Sequence, residues 1–234
     1  MRRIACLALL PLTACGAIAN AQDIAARGSG NVRTYDIRDV TSVDLGGSDD
    51  IEVRVGGGYA MRAEGDPRIL DKLEVRRKGN ELLVSRRWSN APGKVRIVVT
   101  LPTLTGAGVG GSGNMTVDRV AGGDLSVRVA GSGNLTLAQL STRNLSVAVA
   151  GSGNVTARGT TQQLSADLAG SGDLNGTALV AQAAKVKVVG SGSVRAVVRG
   201  EATVTSVGSG DVDLGAGARC TVRKMGSGSV RCGG

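Results

Sequence analysis

Apolar and polar positions alternate with period two around a recurring Gly-Ser-Gly tripeptide in the second half of the chain. Around Gly131, apolar residues stand four and two positions before the glycine and four positions after it, as Val127, Val129 and Leu135. Alternation of this kind is typical of a strand with one buried and one exposed face. Each unit is therefore predicted to contain two short strands that are joined through the glycine corner.

The tripeptide recurs at a nearly fixed interval. After a first copy at Gly28, seven regular copies follow one another at intervals of 18 to 20 residues, and Gly47-Ser48-Asp49 is a degenerate copy. A period of this length is typical of a solenoid, in which each unit buries its apolar face only against its neighbours. We therefore predict an all-β fold, a right-handed parallel β-helix-like solenoid with turns of 18–20 residues.

The glycines of the seven regular copies are predicted to form the turns. Stacked turns bring corner onto corner, so a side chain there would meet its own copy, and glycine adopts the positive φ of such a turn at little cost. The next residue is Asn, Asp or Ser, and we expect these side chains to form a stacked polar ladder. The predicted turn-forming glycines are Gly111, Gly113, Gly131, Gly133, Gly151, Gly153, Gly170, Gly172, Gly190, Gly192, Gly208, Gly210, Gly226 and Gly228.

The first half of the chain is less regular. Residues 34–104 are predicted to form an irregular N-terminal β portion, and residues 105–234 form the regular solenoid repeats of the same domain. Within the irregular portion, Ile51–Val55 alternates as a half-buried strand does. Gly79-Asn80 separates two further alternating runs, which indicates a hairpin. Pro102 is expected either to close the strand before it or to hold that strand at an edge.

Residues 1–21 have the pattern of an export signal. Arg2 and Arg3 precede a mainly apolar run, and Ala19-Asn20-Ala21 fits a secretory cleavage site. An alternative site is the lipobox-like Leu12-Thr13-Ala14-Cys15, which would leave a lipidated Cys15 and a lipid attachment to the membrane. The run is too short for a transmembrane anchor. Both alternatives predict an exported protein in the periplasm, the outer membrane or the cell surface of a Gram-negative bacterium.

Cys220 and Cys232 are predicted to form a disulfide. They lie six residues before and six residues after Gly226, at registers that hold Leu125 and Leu137 in an earlier unit, so both should point inward. Two cysteines in the folded part of an exported protein favour a disulfide. The bond would close a loop of about a dozen residues, stabilise the fold by roughly 3 kcal/mol and cap the open end of the solenoid.

Composition and charge narrow the class of partner. The chain has a formal net charge of +9, and basic residues outnumber acidic ones between Lys72 and Arg96. Such a surface suits anionic lipids or acidic polysaccharide. Nucleic acid is not an expected partner, because the sequence has no aromatic platform or recognition motif. Trp88, with Arg86 and Arg87, either contacts an anionic glycan or a membrane, or plugs the N-terminal end of the solenoid.

The sequence predicts no enzyme and no cofactor. It contains no histidine, which excludes a Ser-His-Asp triad and a His-ligated metal site. Asp44, Asp49, Asp50 and Glu52 form the densest acidic group, and three interpretations stay open: a solvated face, a cation site or paired catalytic carboxylates. The Gly-Ser-Gly copies lack the Lys-Ser/Thr pair and the helix that follow in a phosphate-binding loop.

The order of these features resembles the head GIN domain family, bacterial envelope proteins described as putative auto-transporter adhesins. The resemblance covers roughly residues 34–232 and rests on Ile97–Pro102 and on the repeats Gly111–Asn114, Gly131–Asn134 and Gly151–Asn154. It implies an exported β-solenoid with an adhesive role and brings no catalytic residues. We expect a non-enzymatic adhesin or surface scaffold whose partner is an envelope or extracellular ligand, an anionic glycan or a protein, or a second copy. The alternative is a polysaccharide-binding or polysaccharide-processing β-helix protein.

Overall fold

The computed structural model describes residues 21–87 and 93–233. The predicted lipidation site Cys15 and the contact candidate Trp88 lie outside these residues. Within them the chain is nearly all β, with 67% strand and 2% helix, and it forms a β-solenoid of about 6 turns. The predicted fold class is confirmed.

The strands are short near both ends of the chain and long in the middle, where one strand runs through most of a turn. The helix α1 (Pro67–Leu70) lies between β6 and β7. The strands are β1 (Gln22–Asp23), β2 (Ala26–Arg27), β3 (Val32–Tyr35), β4 (Ser42–Gly47), β5 (Asp50–Val55), β6 (Ala60–Glu64), β7 (Leu73–Lys78), β8 (Glu81–Arg86), β9 (Arg96–Leu101), β10 (Gly106–Gly111), β11 (Asn114–Val117), β12 (Val120–Ala121), β13 (Asp124–Gly131), β14 (Asn134–Gly151), β15 (Asn154–Gly170), β16 (Leu174–Gly190), β17 (Val194–Val198), β18 (Glu201–Gly208), β19 (Val212–Asp213), β20 (Arg219–Met225) and β21 (Val230–Arg231).

The solenoid has a long face that leads into each glycine corner. Its parallel strands are, in order along the axis, β8, β4, β10, β13, the ends of β14, β15 and β16, and then β18 and β20. The pairing aligns the corners, so Gly47 lies beside Gly111 and Gly111 beside Gly131. Inward positions carry Val, Leu and Ala, and Val127 and Val147 are fully buried. The core is therefore a narrow stack that needs no large aromatic ring.

A second face, which we call the asparagine face, begins directly after each corner. It comprises β9, β5, β11, the first parts of β14, β15 and β16, and then β17, β19 and β21, all parallel. Asn114, Asn134 and Asn154 are aligned on neighbouring strands at its start. Because strands lie about 4.7–4.9 Å apart, equivalent side chains form rows along the axis.

A third, short face joins the asparagine face to the next long face. It contains β12 and the middle of β14 and β15, where Val120 pairs with Leu140 and Leu140 with Gly159. The prediction of two strands per unit is therefore incomplete. The alternation is obscured here because an inward position is occupied by a threonine, Thr142 or Thr161, and both are buried.

Antiparallel strands close the N-terminal end of the solenoid. On one side β7 pairs with β8 and β1 with β7, and on the other β6 pairs with β9, β3 with β6 and β2 with β3. Helix α1 buries Ile69 and Leu70 and is capped by Asp66, whose side chain accepts a hydrogen bond from the Arg68 amide at 2.8 Å. The first Gly-Ser-Gly copy, at Gly28, lies in the turn between β2 and β3 and is not a solenoid corner.

Candidate functional site

The glycine corners are closely stacked backbone. In the seven regular copies the first glycine has a φ of 119° to 127°, and a Cβ at Gly131 would lie 2.5 Å from the carbonyl oxygen of Gly111. The second glycine has no positive φ, but a Cβ at Gly153 would collide with the carbonyl oxygen of Gly133. The amides of Ser132 and Gly133 both donate to the Gly111 oxygen. Each corner therefore uses its amides to bind the turn before it, and they are not available to an anion.

Side chains beside the corner form a hydrogen-bonded ladder along the axis. The Asn114 amide group donates to Asp50 Oδ1 at 2.8 Å. The amide groups of Asn134 and Asn154 each donate to the preceding asparagine, at 3.0 and 3.1 Å. The ladder continues into the next turn, where the backbone N–H of Asp173 donates to Asn154 Oδ1 at 3.1 Å. These bonds fix the orientation of the asparagine row, which we define as Asn114, Asn134 and Asn154.

A threonine row runs beside the asparagine row, two residues further along each strand. It consists of Thr116, Thr136 and Thr156, which are aligned in register. Thr116 is exposed and the other two are half-buried. Amide and hydroxyl groups both donate and accept hydrogen bonds. Together the two rows can bind a ligand with repeated polar groups, and neither amides nor these hydroxyls titrate near neutral pH.

The four acidic residues that are close in sequence, Asp44, Asp49, Asp50 and Glu52, have different surroundings in the structure. Asp50 lies at the start of the ladder, with Lys94 Nζ at 3.1 Å. Burial acts to raise the pKa of Asp50, but the hydrogen bonds from the ladder asparagine and from Lys94 lower it below its ordinary value. Hydrogen bonds from Arg54 and Arg96, both at 2.7 Å, lower the pKa of Glu52. Both carboxylates are therefore occupied by basic side chains of this chain.

Asp49 is a buried residue, with 2% exposure. It stands in the corner position that glycine holds in later turns, accepts a hydrogen bond from the Val95 amide at 3.2 Å and lies 3.4 Å from Arg86 Nε. Burial raises the pKa of Asp49, while the Val95 amide and Arg86 act in the opposite direction. The interpretation of the four acidic residues as one solvated face is wrong for Asp49, because its carboxylate serves to close the first corner.

Asp44 belongs to a separate pair with Glu81. The neighbouring strand β10 has glycine at its outward positions, and Asp44 leans over Gly108, where a side chain would collide with the carboxylate. Burial and the hydrogen bond with Glu81 raise the pKa of Asp44 to about 6, and Arg128 acts weakly against them. A carboxyl group with this pKa takes up a proton at mildly acidic pH, so this end of the long face responds to pH.

The contact candidates Arg86 and Arg87 have different environments. The side chain of Arg86 is 16% exposed; it pairs with Asp49 and donates to Ser48 Oγ at 3.1 Å. The side chain of Arg87 is 62% exposed and lies 3.3 Å from Glu74. Arg86 therefore holds the first corner together, and Arg87 is the one of the two that faces solvent.

The C-terminal end carries the disulfide between Cys220 and Cys232, with the two Cα atoms 6.1 Å apart. Cys220 is in register with Ala202 of the preceding turn, and both cysteines pack against the core while staying partly exposed. The bond links the long face to the asparagine face across the last turn. The predicted disulfide is confirmed, but it does not cover the end of the core, since Val222 beside it is 43% exposed.

Two further features of the described residues concern membrane-spanning helices and clusters of metal-ligating side chains. Within residues 21–87 and 93–233, no helix has the length and apolar character that crossing a membrane requires. The same ranges bring together no group of three or more His, Cys, Asp or Glu side chains that could hold a metal ion.

Solved structures of three bacterial proteins have the same fold. A "putative adhesin" from Bacteroides fragilis NCTC 9343 is 21% identical, with a TM-score of 0.78 over 86% of this chain and 95% of that chain. A "putative lipid binding protein" from Parabacteroides distasonis ATCC 8503 is 23% identical, with a TM-score of 0.67 over 88% and 98%. A "putative adhesin" from the same organism is 16% identical, with a TM-score of 0.70 over 86% and 95%. At these identities the likeness concerns the fold, and no curated protein matches the chain.

The family comparison agrees with the resemblance that the sequence shows. Residues 39–218 match the family described as "Putative auto-transporter adhesin, head GIN domain". The matched range contains the corners from Gly47 to Gly208 and ends just before β20, so the disulfide-bonded last turn lies beyond it. Because the match covers well over half of the chain, this protein belongs to the head GIN domain family.

Proposed function

We propose that this protein is a non-enzymatic adhesin or surface scaffold, exported to the cell envelope, that binds its ligand through the asparagine face. The observation that carries the proposal is the pair of aligned rows of asparagine and threonine side chains on successive turns. Family membership and the names of the neighbouring structures support an adhesive role.

The geometry of the two rows suits multivalent binding. Three successive turns, those of Asn114, Asn134 and Asn154, repeat the same amide and hydroxyl groups at the strand spacing of about 4.7–4.9 Å. The ladder bonds and the close-packed corners hold these groups in place before a ligand arrives, which reduces the entropy lost on binding. A weak contact that is repeated along one ligand gains affinity from multivalency without any strong single site.

A polysaccharide is the ligand class that the rows favour. Its hydroxyl groups recur along the polymer and both donate and accept hydrogen bonds, as the amides and hydroxyls of the rows do. The carboxylates nearest to the rows, Asp50 and Glu52, are paired with Lys94, Arg54 and Arg96. This favours binding of a polysaccharide over its cleavage.

A matched pair of substitutions tests the role of the asparagine face. Thr136→Glu places a charged, larger side chain in the middle of the threonine row, and Thr160→Glu places the same side chain on the short face, where Thr160 is exposed. Binding of the purified protein to a glycan array and to isolated envelope fractions is measured for both variants. We expect Thr136→Glu to lower binding at least tenfold and Thr160→Glu to leave it unchanged.

Two outcomes of this experiment would contradict the proposal. Equal binding by both variants and the unaltered protein would exclude the asparagine face as the binding surface. Failure of the unaltered protein to bind any glycan or envelope fraction would exclude the adhesive function itself. Circular dichroism of both variants confirms that the solenoid is folded in each comparison.

A further inference from the structure

The C-terminal end of the solenoid gathers exposed apolar side chains. Among the large apolar residues that are exposed in the described ranges, four lie on β16, β18 and β20: Val189 at 42%, Val207 at 39%, Val222 at 43% and Met225 at 71%. Three of them, Val189, Val207 and Met225, are aligned in register on the outside of the long face. A contiguous exposed apolar patch marks an interaction surface.

The same end presents a strand edge without a partner. β20 is 7 residues long and pairs with β18 on one side, and within the described part of the chain no strand pairs with its other side. Val222 belongs to the same inward column as Val186 and Val204 of the two preceding turns, which are 1% and 0% exposed. Val222 itself is exposed because no further turn packs on it within the described residues. A strand edge of this length is a template for an added strand.

The last turn is strongly basic. Arg219, Arg223, Lys224 and Arg231 lie between residues 219 and 231, and this stretch contains no acidic residue. Arg219 and Arg223 stand on β20 on either side of Val222, and both are exposed. The edge therefore attracts an acidic partner and repels a basic one.

A second copy of the chain does not complement this edge. Two copies joined through β20 would place the basic residues of the last turn opposite their equivalents. At the N-terminal end the outermost strands β1 and β2 have 2 residues each, and Asp36 and Asp39 are already paired with Arg38 at 3.0 Å and Arg77 at 3.5 Å. Residues 1–20 and 88–92, which the structure does not describe, contain no acidic residue. These parts of the chain therefore offer the edge no acidic strand, and a lipid headgroup or a glycan has no peptide backbone that could pair with it, so an acidic segment of another protein fits the edge best.

We propose that the edge of β20 receives an extended acidic segment of another protein, which adds to the solenoid as a further strand. The backbone groups of the edge supply main-chain hydrogen bonds, as in other cases of strand addition. Apolar side chains of the added strand cover Val222, and its acidic side chains lie against Arg219 and Arg223. This interaction uses the end of the solenoid and does not depend on the asparagine face.

The test uses the intact, disulfide-bonded protein and three fluorescent peptides of about nine residues, the length of an ordinary strand. The first alternates valine with glutamate, the second has lysine in place of each glutamate, and the third is the glutamate peptide with a central proline, which interrupts strand pairing. Binding is followed by fluorescence anisotropy, and its position by hydrogen exchange of the β20 amides. We expect the uninterrupted glutamate peptide alone to bind and to protect the β20 amides.

Charge reversal then tests the residues. The double variant Arg219→Glu and Arg223→Glu should lose at least tenfold in affinity for the glutamate peptide. The double variant Arg143→Glu and Arg158→Glu is the matched control, because these arginines are exposed in the middle of the solenoid, and it should bind as the unaltered protein does.

Three results would overturn the proposal. Equal binding of the proline peptide would mean that charge alone attracts it. Binding of phosphatidylglycerol vesicles to this end, with no peptide bound, would identify a membrane surface as the partner. Dimers in sedimentation experiments that dissociate in the Arg219→Glu and Arg223→Glu variant would identify a second copy.

Discussion

The two ends of the solenoid are built in opposite ways. At the N-terminal end the antiparallel strands β6 and β7 pair with the first parallel strands, and helix α1, which follows β6 in the chain, buries Ile69 and Leu70. At the C-terminal end β20 pairs with β18 of the preceding turn, the described ranges contain no strand on its other side, and Val222 is 43% exposed. Packing closes the first end, whereas the bond between Cys220 and Cys232 holds the second.

The difference shows that an end of the solenoid can be stabilised without its core and strand edge being buried. Antiparallel strands bury apolar surface, worth about 25 cal/mol per Å², and end the parallel register that another chain could extend. A disulfide stabilises the fold by restricting the unfolded chain, but it leaves the backbone groups of the edge in place. The N-terminal end is therefore closed by packed strands, whereas the C-terminal end is stabilised by the disulfide and keeps an accessible strand edge.

The largest effect on stability is expected at the Gly-Ser-Gly tripeptide. It forms a corner inside the stack at Gly151 to Gly153, but a turn of the N-terminal antiparallel strands at Gly28 to Gly30. Gly153→Ala puts a Cβ against the Gly133 carbonyl oxygen, whereas Gly30→Ala meets no atom within 4 Å and only has to keep a φ of +61°. We expect Gly153→Ala to lower the free energy of unfolding by about 3–5 kcal/mol and Gly30→Ala by about 1 kcal/mol. Chemical denaturation measures both. Equal losses would mean that the stack has no closer packing at its corners than the hairpin has at its turn.

The regular part of the fold could be predicted from the sequence because the patterns that determine it, the tripeptide period and the alternation of apolar residues, are short and recur in every unit. The period of the tripeptide gives the turn length, and the alternation around Gly131 gives the inward face. Cys220 and Cys232 fall on inward registers on the two sides of one corner. A stacked structure repeats one unit, so a pattern of about 20 residues determines most of the fold.

The N-terminal end could not be predicted in this way because its partners are distant in sequence. Arg86 meets Asp49 only because β8 stacks beside β4, and β6 pairs with β9 across an intervening hairpin. The pair of Asp44 and Glu81 arises from the same stacking of β8 on β4. Alternation shows which residues of a strand face inward, but it does not show which distant strand lies beside it.

A smaller and more local effect is expected from removing the covalent link at the C-terminal end. The double variant Cys220→Ser and Cys232→Ser should lower stability by about 3 kcal/mol, as the chain-entropy model gives for a loop of this length. Units of a solenoid unfold locally, so hydrogen exchange should rise in β18 and β20 and stay unchanged in β3 and β6. Those N-terminal strands are the internal control. A uniform rise along the chain would show that the two ends unfold as one unit.

The smallest effect is expected at the N-terminal end, where a carboxyl group titrates near neutral pH. The pKa of Asp44 in the folded protein is about 6, above the ordinary value of about 4 that an unfolded chain has. The folded state therefore binds the proton more tightly, and its stability rises as the pH falls from about 7 toward 4. We expect Asp44→Asn, which removes the charge, to stabilise the protein at pH 8 by about 1 kcal/mol after allowance for solvent screening.

The comparison across pH isolates this group from the other acids of the chain. At pH 5, which lies between the folded pKa of about 6 and the unfolded value of about 4, the advantage of Asp44→Asn should fall to about half of that at pH 8, and it should vanish only below about pH 4. Chemical denaturation measures the advantage at each pH. Asp167→Asn is the matched control, since Asp167 stands at the same register of the long face but is exposed, and a solvated carboxylate has no burial to relieve. A pH-dependent gain that appears in the hydrogen exchange of β20 instead of β4 and β8 would contradict the assignment to the Asp44 and Glu81 pair.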